Sequence, residues 1–468
     1  MKIYSTMTKT KEELKPQNGK TVSIYACGPT VYNLFHIGNA RQLCVFDVLR
    51  RYLKYRGFEV KYVQNFTDVD DKIIKRANEL GVTAAEVSEQ AIKDYFIDAA
   101  GLNITEADVH PKVTENMGII IDIIKTLIEN GYAYEAGGDV YFQAEKFSEY
   151  GKLSKMPLEE LRTGASERVS ESELKRDPMD FALWKAAKED EPFWESPFGK
   201  GRPGWHIECS AMVKEYLGDT LDIHGGGSDL IFPHHENEIA QSEAATGKPL
   251  SSIWMHNEML NVDNKKMAKS KGNFFLTRDV AKVYGYEPIR FMLLSAHYRS
   301  KMNYTEEVIK SAVSSIERLY NCENAIKRVL DGNKDAANGS LSKSVSEIIK
   351  KHKERFIEVM DDDLNTADGI AAIFELVRDI NKTLTLEKTS KRDITELYGL
   401  FKELSDVLGL LYGNKEGEIS PEIIELKNKR DAARKEKNFS LADQIRDEII
   451  GLGYTVEETR QGTVIRKN

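Results

Sequence analysis

The alternation of apolar and polar residues near the start of the chain predicts two strand–helix units. Thr21–Ala26 (TVSIYA) is a β-branched and aromatic run, and HIGNARQLCVFDVLRRYLKYRG places apolar residues at helical spacing before a closing Gly57. EVKYVQNF predicts a second strand and TDVDDKIIKRANELG a second helix. Strands and helices that alternate through short turns indicate a parallel, doubly wound sheet, which binds ligands at the carboxyl ends of its strands.

The alternation of strands and helices is interrupted between about residues 117 and 190, and we interpret this segment as an insertion. The segment contains helical pieces, a hairpin predicted around Ala136–Gln143 (AGGDVYFQ) and the charged run SERVSESELKRD. The sheet pattern is expected to resume near Arg202 and to continue through DTLDIHGGG and SSIWMHNEML. From about Ile309 the chain is predicted to be almost entirely helical.

GNKEG (413–417) is typical of a linker, and Glu422–Asn468 is predicted to form a charged helix pair followed by short strands around YTVEETRQGTVIR. The expected fold is therefore α/β. A Rossmann-like doubly wound parallel sheet with an insertion is followed by an α-helical bundle and a small C-terminal α+β domain. The expected segments are 1–116, 117–190, 191–250, 251–308, 309–412 and 413–468.

Composition narrows the class of protein. The 468 residues fit roughly three domains. Four cysteines, at positions 27, 44, 209 and 322, are too few and too scattered for a disulfide scaffold. No signal peptide or membrane span is expected, since no long apolar run occurs. We expect a soluble cytoplasmic protein whose net charge of −9 argues against non-specific nucleic-acid coating, although not against a local basic face.

Dispersed cysteine, histidine and glutamate residues suggest a metal site. His234 and Glu238 are four residues apart and would share a helix face, while Cys27 follows the first strand and Cys209 lies in GRPGWHIECSAM. Zinc accepts such a mixed donor set. On spacing alone His235 competes with His234 as the imidazole ligand, and the cysteines could instead be small buried hydrophobic residues.

Two further motifs could contact phosphate. HIGN (36–39) opens the first predicted helix, where backbone N–H groups and the helix dipole favour an anion, and where His36 could donate to a developing charge. The alternative is that His36 is a helix cap or a surface residue. DNKKMAKSKGNFF (263–275) offers Lys266, Lys269, Ser270 and Lys271, and its alternative is a solvated surface loop.

Together with longer motifs, these features resemble the cysteinyl-tRNA synthetases, a family of class I aminoacyl-tRNA synthetases, over essentially the whole chain. The segments that carry the resemblance are CGPTVYNLFHIGNAR, NFTDVDDKII, DFALWK, GRPGWHIECSAM, DIHGGGSDLIFPHHENEIAQSE, KKMAKSKGNF, DDDLNTADGIAAIF and ARKEKNFSLADQIRDEI. Asn39 replaces the last histidine of the usual HIGH signature, Ala268 replaces the first serine of KMSKS, and GTVIR stands where the family often has a tryptophan.

The resemblance implies an enzyme that uses ATP with Mg²⁺ to make cysteinyl-adenylate from L-cysteine. It then transfers the cysteinyl group to the 3′-terminal adenosine of the cysteine-specific tRNA. The implied catalytic residues are His36, Lys266 and Lys269. The implied ATP-binding residues are His36, Gly38, Asn39 and Lys269. The residues implied beside the amino acid are Gly28, Thr67 and Trp205.

One Zn²⁺ per subunit is also implied, with Cys27, Cys209, His234 and Glu238 as its ligands. Zinc would explain the choice of cysteine over serine. A pocket without a metal discriminates between such isosteres by only roughly 100-fold, whereas zinc prefers a thiolate to an alcohol. Three more histidines are expected to form the pocket wall or to tune the metal: His206, His224 and His256.

The resemblance also gives roles to the segments. Residues 1–116 and 191–250 would form the catalytic domain, 117–190 a connective insertion, 251–308 the stem-contact region, 309–412 the anticodon-side bundle and 413–468 a tRNA-recognition domain. Lys427–Lys437 carries six basic and two acidic residues, a local charge of +4, which suits RNA phosphates. Solvated helix pairs are the alternative. A monomer is expected.

Two other functions remain open at this stage. A ligase that joins cysteine to an amino sugar would keep the zinc and nucleotide sites but would not need the basic C-terminal segment. A catalytically inactive zinc- and RNA-binding paralogue would be expected to have lost His36 or Lys269, and both are present.

Overall fold

The structure is a computed structural model that describes residues 1–156, 174–189, 191–263, 265–266, 275–332, 341–386, 389–413, 421–436, 438–452, 454–459 and 462–467. The chain divides into two compact units, Met1–Leu410 and Leu411–Asn468. Each unit has its own secondary structure and its own packing, so each is described separately.

The first unit contains both the predicted sheet and the predicted bundle. Its elements up to the hairpin of the insertion are β1 (Lys2–Ser5), β2 (Thr10–Glu13), β3 (Thr21–Ala26), α1 (Ile37–Tyr55), β4 (Glu59–Val63), α2 (Asp71–Leu80), α3 (Ala84–Gly101), α4 (Met117–Glu129), β5 (Ala133–Ala136) and β6 (Asp139–Phe142). They are followed by β7 (Phe181–Ala186), β8 (Gly201–Pro203), α5 (Trp205–Leu217), β9 (Leu221–Gly227), α6 (Glu236–Thr246), β10 (Ser251–Asn257), β11 (Leu260–Val262), β12 (Lys265–Lys266), α7 (Thr277–Tyr284), α8 (Tyr286–Leu294) and β13 (Met302–Tyr304). The unit ends with the helices α9 (Glu306–Gly332), α10 (Lys343–Asp361), α11 (Thr366–Leu384) and α12 (Lys391–Val407).

The predicted doubly wound sheet is confirmed as a four-stranded parallel sheet in the order β10-β9-β3-β4. Its central strands β3 and β9 are buried, as expected for a parallel sheet covered on both faces. The order places the carboxyl ends of β3 and β9 side by side. Residues that directly follow these strands therefore meet at one edge of the sheet.

Helix α1 confirms the predicted helix after β3. It begins after the N-cap His36 and ends before the C-cap Arg56, and Gly57 adopts φ +84°, a left-handed conformation that a glycine accepts without strain. Buried positions on α1 include Ile37, Ala40 and Cys44, which share the predicted apolar face. The helix packs against β4 and α8, which fixes its first turn relative to the sheet.

The insertion carries a second, antiparallel sheet in the order β5-β6-β7-β8. The predicted hairpin is present, with Gly137 and Gly138 at its turn, and pairs β5 with β6. The expectation that the parallel sheet resumes near Arg202 is wrong, because Arg202 in β8 pairs with Lys185 in β7. A three-residue strand without alternation offers no sign of which sheet it joins. The parallel sheet resumes at β9.

Helices α9 to α12 pack against one another in the predicted bundle. Their buried faces follow the helical period, as in α11, where Ile370, Ile373, Val377 and Ile380 are all buried. Within the described ranges, no helix combines the length and the apolarity needed to cross a membrane.

The second unit consists of α13 (Pro421–Lys435), α14 (Phe439–Gly451), β14 (Tyr454–Thr459) and β15 (Gly462–Lys467). This is the predicted helix pair followed by short strands, and the strands form an antiparallel hairpin. Its small core is formed by Ile423, Ile445, Ile449, Tyr454 and Val456.

Candidate active site and metal centre

The four predicted metal ligands meet at the carboxyl edge of the parallel sheet. Cys27 directly follows β3, and its N–H donates to the carbonyl of Gly225 in β9 (3.2 Å). Cys209 lies in α5, His234 in the irregular turn Ile231–His235 that leads into α6, and Glu238 in the first turn of α6. All four side chains are buried.

The donor atoms of this four-residue cluster all lie within 4.8 Å of one another. The two Sγ atoms are 3.6 Å apart, Cys209 Sγ is 3.6 Å from His234 Nε2, Cys27 Sγ is 3.3 Å from Glu238 Oε1, and His234 Nε2 is 2.9 Å from Glu238 Oε1. Tetrahedral zinc with bonds of about 2.0–2.3 Å separates its ligand atoms by about 3.3–3.8 Å. Three of the four separations lie in this range, and the His234–Glu238 separation of 2.9 Å is shorter, so the donor types and most of the spacing fit zinc.

The electrostatics of the cluster favour deprotonation at two of its four donors, Cys209 and Glu238. Burial would lower the pKa of His234, but Glu238 and Cys209 outweigh burial and raise it to about 10. Burial raises the pKa of Cys27 well above its usual value. Burial also opposes ionisation of Cys209, but the hydrogen bond from Cys27, with His234 contributing, outweighs it and lowers the pKa of Cys209 to about 6. Burial likewise opposes ionisation of Glu238, yet His224 and His234 hold its pKa well below the usual value. One thiol and the carboxyl thus lose their protons easily, as metal binding requires.

His235 remains close enough to compete, as the sequence indicated. Its Nε2 lies 3.3 Å from Cys27 Sγ, and Cys27, His224 and His235 form a second group of possible metal donors. However, His235 Nδ1 lies 2.7 Å from His256 Nε2. Of the two histidines, His234 is the one whose donor atom belongs to the four-residue cluster.

The three other histidines predicted near the metal surround the cluster. His206 Nδ1 lies 2.9 Å from His234 Nδ1, and His224 Nε2 lies 2.8 Å from Glu238 Oε2. His256 contacts His235, and its Nδ1 forms a hydrogen bond with Thr6 Oγ1 (2.7 Å). Each contact restrains the orientation of a cluster side chain or of its competitor.

The three residues predicted beside the amino acid also lie next to the cluster. Trp205 is 40% exposed, and its ring lies 4.2 Å from that of His234, so Trp205 is no ordinary core residue. Thr67 is buried, and its backbone pairs with Thr30 and Pro29 after β3. Gly28 admits no side chain, since a Cβ there would lie 1.6 Å from the carbonyl oxygen of Asn65.

Asn65 and Glu208 also lie in the site, although no pattern in the sequence indicates it. Asn65 Oδ1 accepts a hydrogen bond from the Gly28 N–H (2.8 Å), and Asn65 Nδ2 donates to Thr67 Oγ1 (3.3 Å). Thr67 Oγ1 in turn donates to Glu208 Oε2 (2.7 Å), and burial raises the pKa of Glu208 well above its usual value. Asn65 lies in NFTDVDDKII and Glu208 in GRPGWHIECSAM, and only the folded chain brings the two residues together.

The first motif of the nucleotide site forms a helix cap. His36 Nδ1 accepts hydrogen bonds from the N–H groups of Gly38 (3.1 Å) and Asn39 (3.2 Å), and Asn39 Oδ1 accepts one from the His36 N–H (3.3 Å). This is a capping box. The N–H groups of Gly38 and Asn39 are therefore not free phosphate donors, contrary to one sequence expectation. ATP binding by these residues stays a prediction.

The lysine motif is only partly described. Lys269, Ser270 and Lys271 lie outside the described residues, and for Lys266 the structure describes only the backbone, which pairs with Asn261 in β11. The segment that follows is tied to HIGN, because the Ile37 N–H donates to the Phe275 carbonyl (3.1 Å) and the Thr277 N–H to that of Phe35 (3.1 Å). The two motifs thus belong to one region of the first unit.

Basic residues of the C-terminal segment are partly engaged within the second unit. Lys427 pairs with Asp431 (3.6 Å) and Lys429 with Glu425 (2.8 Å), both four residues apart on α13. Arg430 is buried and donates to Thr463 Oγ1 (2.8 Å). This matches the alternative of paired helix charges for Lys427 and Lys429, while Arg430 is engaged with the strand β15. An RNA-binding face on this segment stays a prediction.

Comparisons with known proteins agree with the fold and the site. Residues 13–314 match the family described as tRNA synthetases class I (C) catalytic domain, and residues 355–412 match the DALR domain. A solved structure of Mycobacterium tuberculosis methionyl-tRNA synthetase in complex with methionyl-adenylate has the same fold, with a TM-score of 0.60 at 15% identity over 83% of this chain and 89% of that chain. The parallel sheet and its site thus define a class I aminoacyl-tRNA synthetase.

Relatives at higher identity narrow the class. The chain is 50% identical over 465 residues to a cysteine–tRNA ligase from Clostridioides difficile (strain 630), which covers 99% of both chains. It is also 50% identical over 469 residues to a cysteine–tRNA ligase from Caldicellulosiruptor saccharolyticus, covering both chains completely. The chain belongs to the cysteine–tRNA ligase family.

Proposed function

We propose that the protein ligates L-cysteine to the 3′-terminal adenosine of its cognate tRNA through cysteinyl-adenylate, with zinc selecting the cysteine thiol. Membership of the cysteine–tRNA ligase family supports the reaction. The observation that carries the proposal is the buried cluster of Cys27, Cys209, His234 and Glu238 beside Trp205. A thiol-selective site is thereby joined to a class I catalytic domain.

In the first step the cysteine carboxylate attacks the α-phosphate of ATP and pyrophosphate leaves. The protein contributes mainly position and charge to such a transfer. We assign the phosphate charge to His36 and the leaving pyrophosphate to Lys266 and Lys269. The pairing of Phe35 and Ile37 with residues 275–277 supports this assignment, since it ties the end of the lysine motif to HIGN.

Selection of cysteine is assigned to the cluster. Zinc, when bound, is a soft Lewis acid that prefers a thiolate to an alcohol and lowers the pKa of a thiol. The chain holds the donors ready by burying them and by orienting them through His206 and His224. Trp205 leaves an exposed face beside His234 for the substrate.

The test compares Cys209→Ala with Cys322→Ala. Cys209→Ala should lose bound zinc and cysteine-dependent ATP–pyrophosphate exchange together. Cys322 is a matched control, because it is buried in α9 outside the cluster and burial raises the pKa of its thiol to about 12. The control should keep both properties. Cysteinyl-adenylate formation by a zinc-free Cys209→Ala protein would show that the metal assignment is wrong.

The choice of acceptor is tested separately. Cysteine should be transferred to tRNA and not to a free amino sugar such as glucosamine, as measured with labelled cysteine and each acceptor alone. Ligation to the sugar without tRNA would favour the amino-sugar ligase considered from the sequence. No transfer to either acceptor would favour the inactive paralogue.

A further inference from the structure

We propose that Asn65 and Glu208 are positioning residues that set the length of the amino-acid site, so that the protein accepts cysteine and rejects its homologue with one more methylene, homocysteine. The inference rests on the proposed function, because it assumes that the substrate thiol lies at the cluster. It adds two residues that bind no zinc and that connect the thiol end of the site to its polar end.

Asn65 lies at the centre of this connection. Its Oδ1 accepts from the Gly28 N–H at 2.8 Å and lies 3.9 Å from Cys209 Sγ, while its Nδ2 donates to Thr67 Oγ1 at 3.3 Å. Asn65 is buried, and its carbonyl oxygen packs directly on Gly28. A single side chain thus contacts a cluster thiol and two of the three residues predicted beside the amino acid, Gly28 and Thr67.

Glu208 anchors the other end of the same chain of hydrogen bonds. It is buried in α5, and its Oε2 accepts the Thr67 hydroxyl proton at 2.7 Å. Glu208 precedes Cys209 in the sequence, just as Gly28 follows Cys27. The connection Gly28–Asn65–Thr67–Glu208 therefore begins and ends next to the two cluster cysteines.

This geometry constrains substrate length. The proposal places the sulfur of a thiol amino acid at the cluster and the rest of the amino acid beside Gly28 and Thr67. Because the connection holds Thr67 relative to Cys209, the distance available to the intervening carbons is fixed. One surplus methylene in a fixed pocket typically costs a factor of roughly 10–200 in kcat/KM. Without Asn65 the two ends can separate and the penalty falls.

The experiment measures kcat/KM in ATP–pyrophosphate exchange for L-cysteine and L-homocysteine, with the full-length zinc-loaded protein. Equilibrium binding of both amino acids by calorimetry and zinc content by atomic absorption are measured in parallel. Asn65→Ala should lower the preference for cysteine over homocysteine by about 10-fold, in exchange and in binding alike. The zinc content and the KM for ATP should stay at their wild-type values.

Two matched variants separate positioning from general destabilisation. Asn116 is also buried, and it donates to the Lys112 carbonyl and accepts from Tyr216 OH outside the site, so Asn116→Ala should keep the wild-type preference. Glu208→Gln retains an acceptor for Thr67 and should keep most of the preference that Glu208→Ala loses. If Asn65→Ala does not fold, Asn65→Asp replaces it in the experiment, because an aspartate keeps the acceptor for Gly28.

The outcomes are distinguishable. A wild-type protein that fails to activate cysteine would contradict the proposed function itself, and the length assignment with it. A wild-type protein that activates cysteine, with an unchanged preference in the Asn65 variants, would overturn only the length assignment. Loss of zinc from these variants would also overturn it, because Asn65 would then act on the metal site and not on substrate length.

Discussion

Asn39 shows how a single residue can alter a signature and still fit its local structure. It stands where the family signature has histidine, and its side chain closes the capping box with His36. Its oxygen accepts the His36 N–H, and its own N–H is bound by His36 Nδ1. The substitution therefore preserves the start of α1 and the orientation of the His36 ring.

Variants at Asn39 should separate helix capping from ATP binding. Asn39→Asp keeps an acceptor for His36 and should leave thermal stability unchanged, but its negative charge should raise the KM for ATP, because the proposed function places ATP phosphates beside His36. Asn39→Ala should cost about 0.5–1.5 kcal/mol of stability, the net contribution of the one hydrogen bond that it removes. Asn39→His should retain activity. Thermal melts and exchange assays with varied ATP measure these effects.

A normal KM for ATP in Asn39→Asp would contradict this assignment. It would show that phosphates do not approach the first turn of α1, and that HIGN has only the structural role of a cap.

Individual residues also show what a sequence can reveal about a site. Cys27, Cys209 and Glu238 were predicted as ligands because their chemistry is distinctive and their motifs resemble a family. Asn65 and Glu208 were missed because their role depends on contacts between the loop after β4, the loop after β3 and helix α5. No spacing rule in the sequence identifies the hydrogen-bond partners of an asparagine or a glutamate.

At the scale of elements, α1 and α8 are joined by a buried ionic cluster. Asp47 in α1 accepts from Arg290 Nη2 (2.5 Å) and from Arg51 Nε (2.7 Å). Arg290 also donates to the carbonyls of Leu408 and Leu102. Burial by itself would raise the pKa of Asp47, but the two guanidinium groups outweigh burial and lower it.

Asp47→Asn should therefore lower stability at neutral pH, by about 3–5 kcal/mol, because it leaves buried guanidinium charge unpaired. A lowered pKa in the folded state stabilises the protein above the unfolded value of about 3.9, and this stabilisation is lost as the pH falls through the folded value. The difference in the free energy of unfolding between wild type and variant should thus be largest at pH 7 and should shrink as the pH falls below about 4. Urea unfolding midpoints across this range measure it.

Asp122→Asn is the control, since Asp122 is exposed and pairs only with Lys125, three residues away. Such surface pairs contribute about 0–1 kcal/mol. If the urea unfolding midpoint of Asp47→Asn depended on pH as that of wild type does, the ionic cluster would not be the source of the stability that is lost in acid.

Elements differ in how far the sequence predicts them. The strand–helix units around β3 and β4 were predicted because a parallel sheet demands continuous apolar strands and periodic helices. The sequence pattern places β8 in the wrong sheet, because its pairing with β7 depends on a strand of the insertion that is distant in the sequence. Local pattern specifies an element, whereas its sheet depends on distant partners.

At the scale of the whole molecule, the chain divides into two units, and the candidate site lies in the first. All the residues of the candidate cluster, and α1 with its cap, belong to Met1–Leu410. The second unit has a core of its own, built on Ile423, Ile445 and Ile449. The described cores of the two units are formed by separate sets of residues.

A chain that ends at residue 412 should consequently keep its zinc, its thermal transition and its rate of cysteine-dependent pyrophosphate exchange. Aminoacylation of tRNA should instead fall by about 100-fold or more, the usual loss when one of two linked binding sites is removed. Exchange and charging are measured on the same preparation, so that misfolding would lower both. Charging at the full-chain rate would show that residues 413–468 do not recognise tRNA, and equal loss of both activities would show that the catalytic unit depends on them.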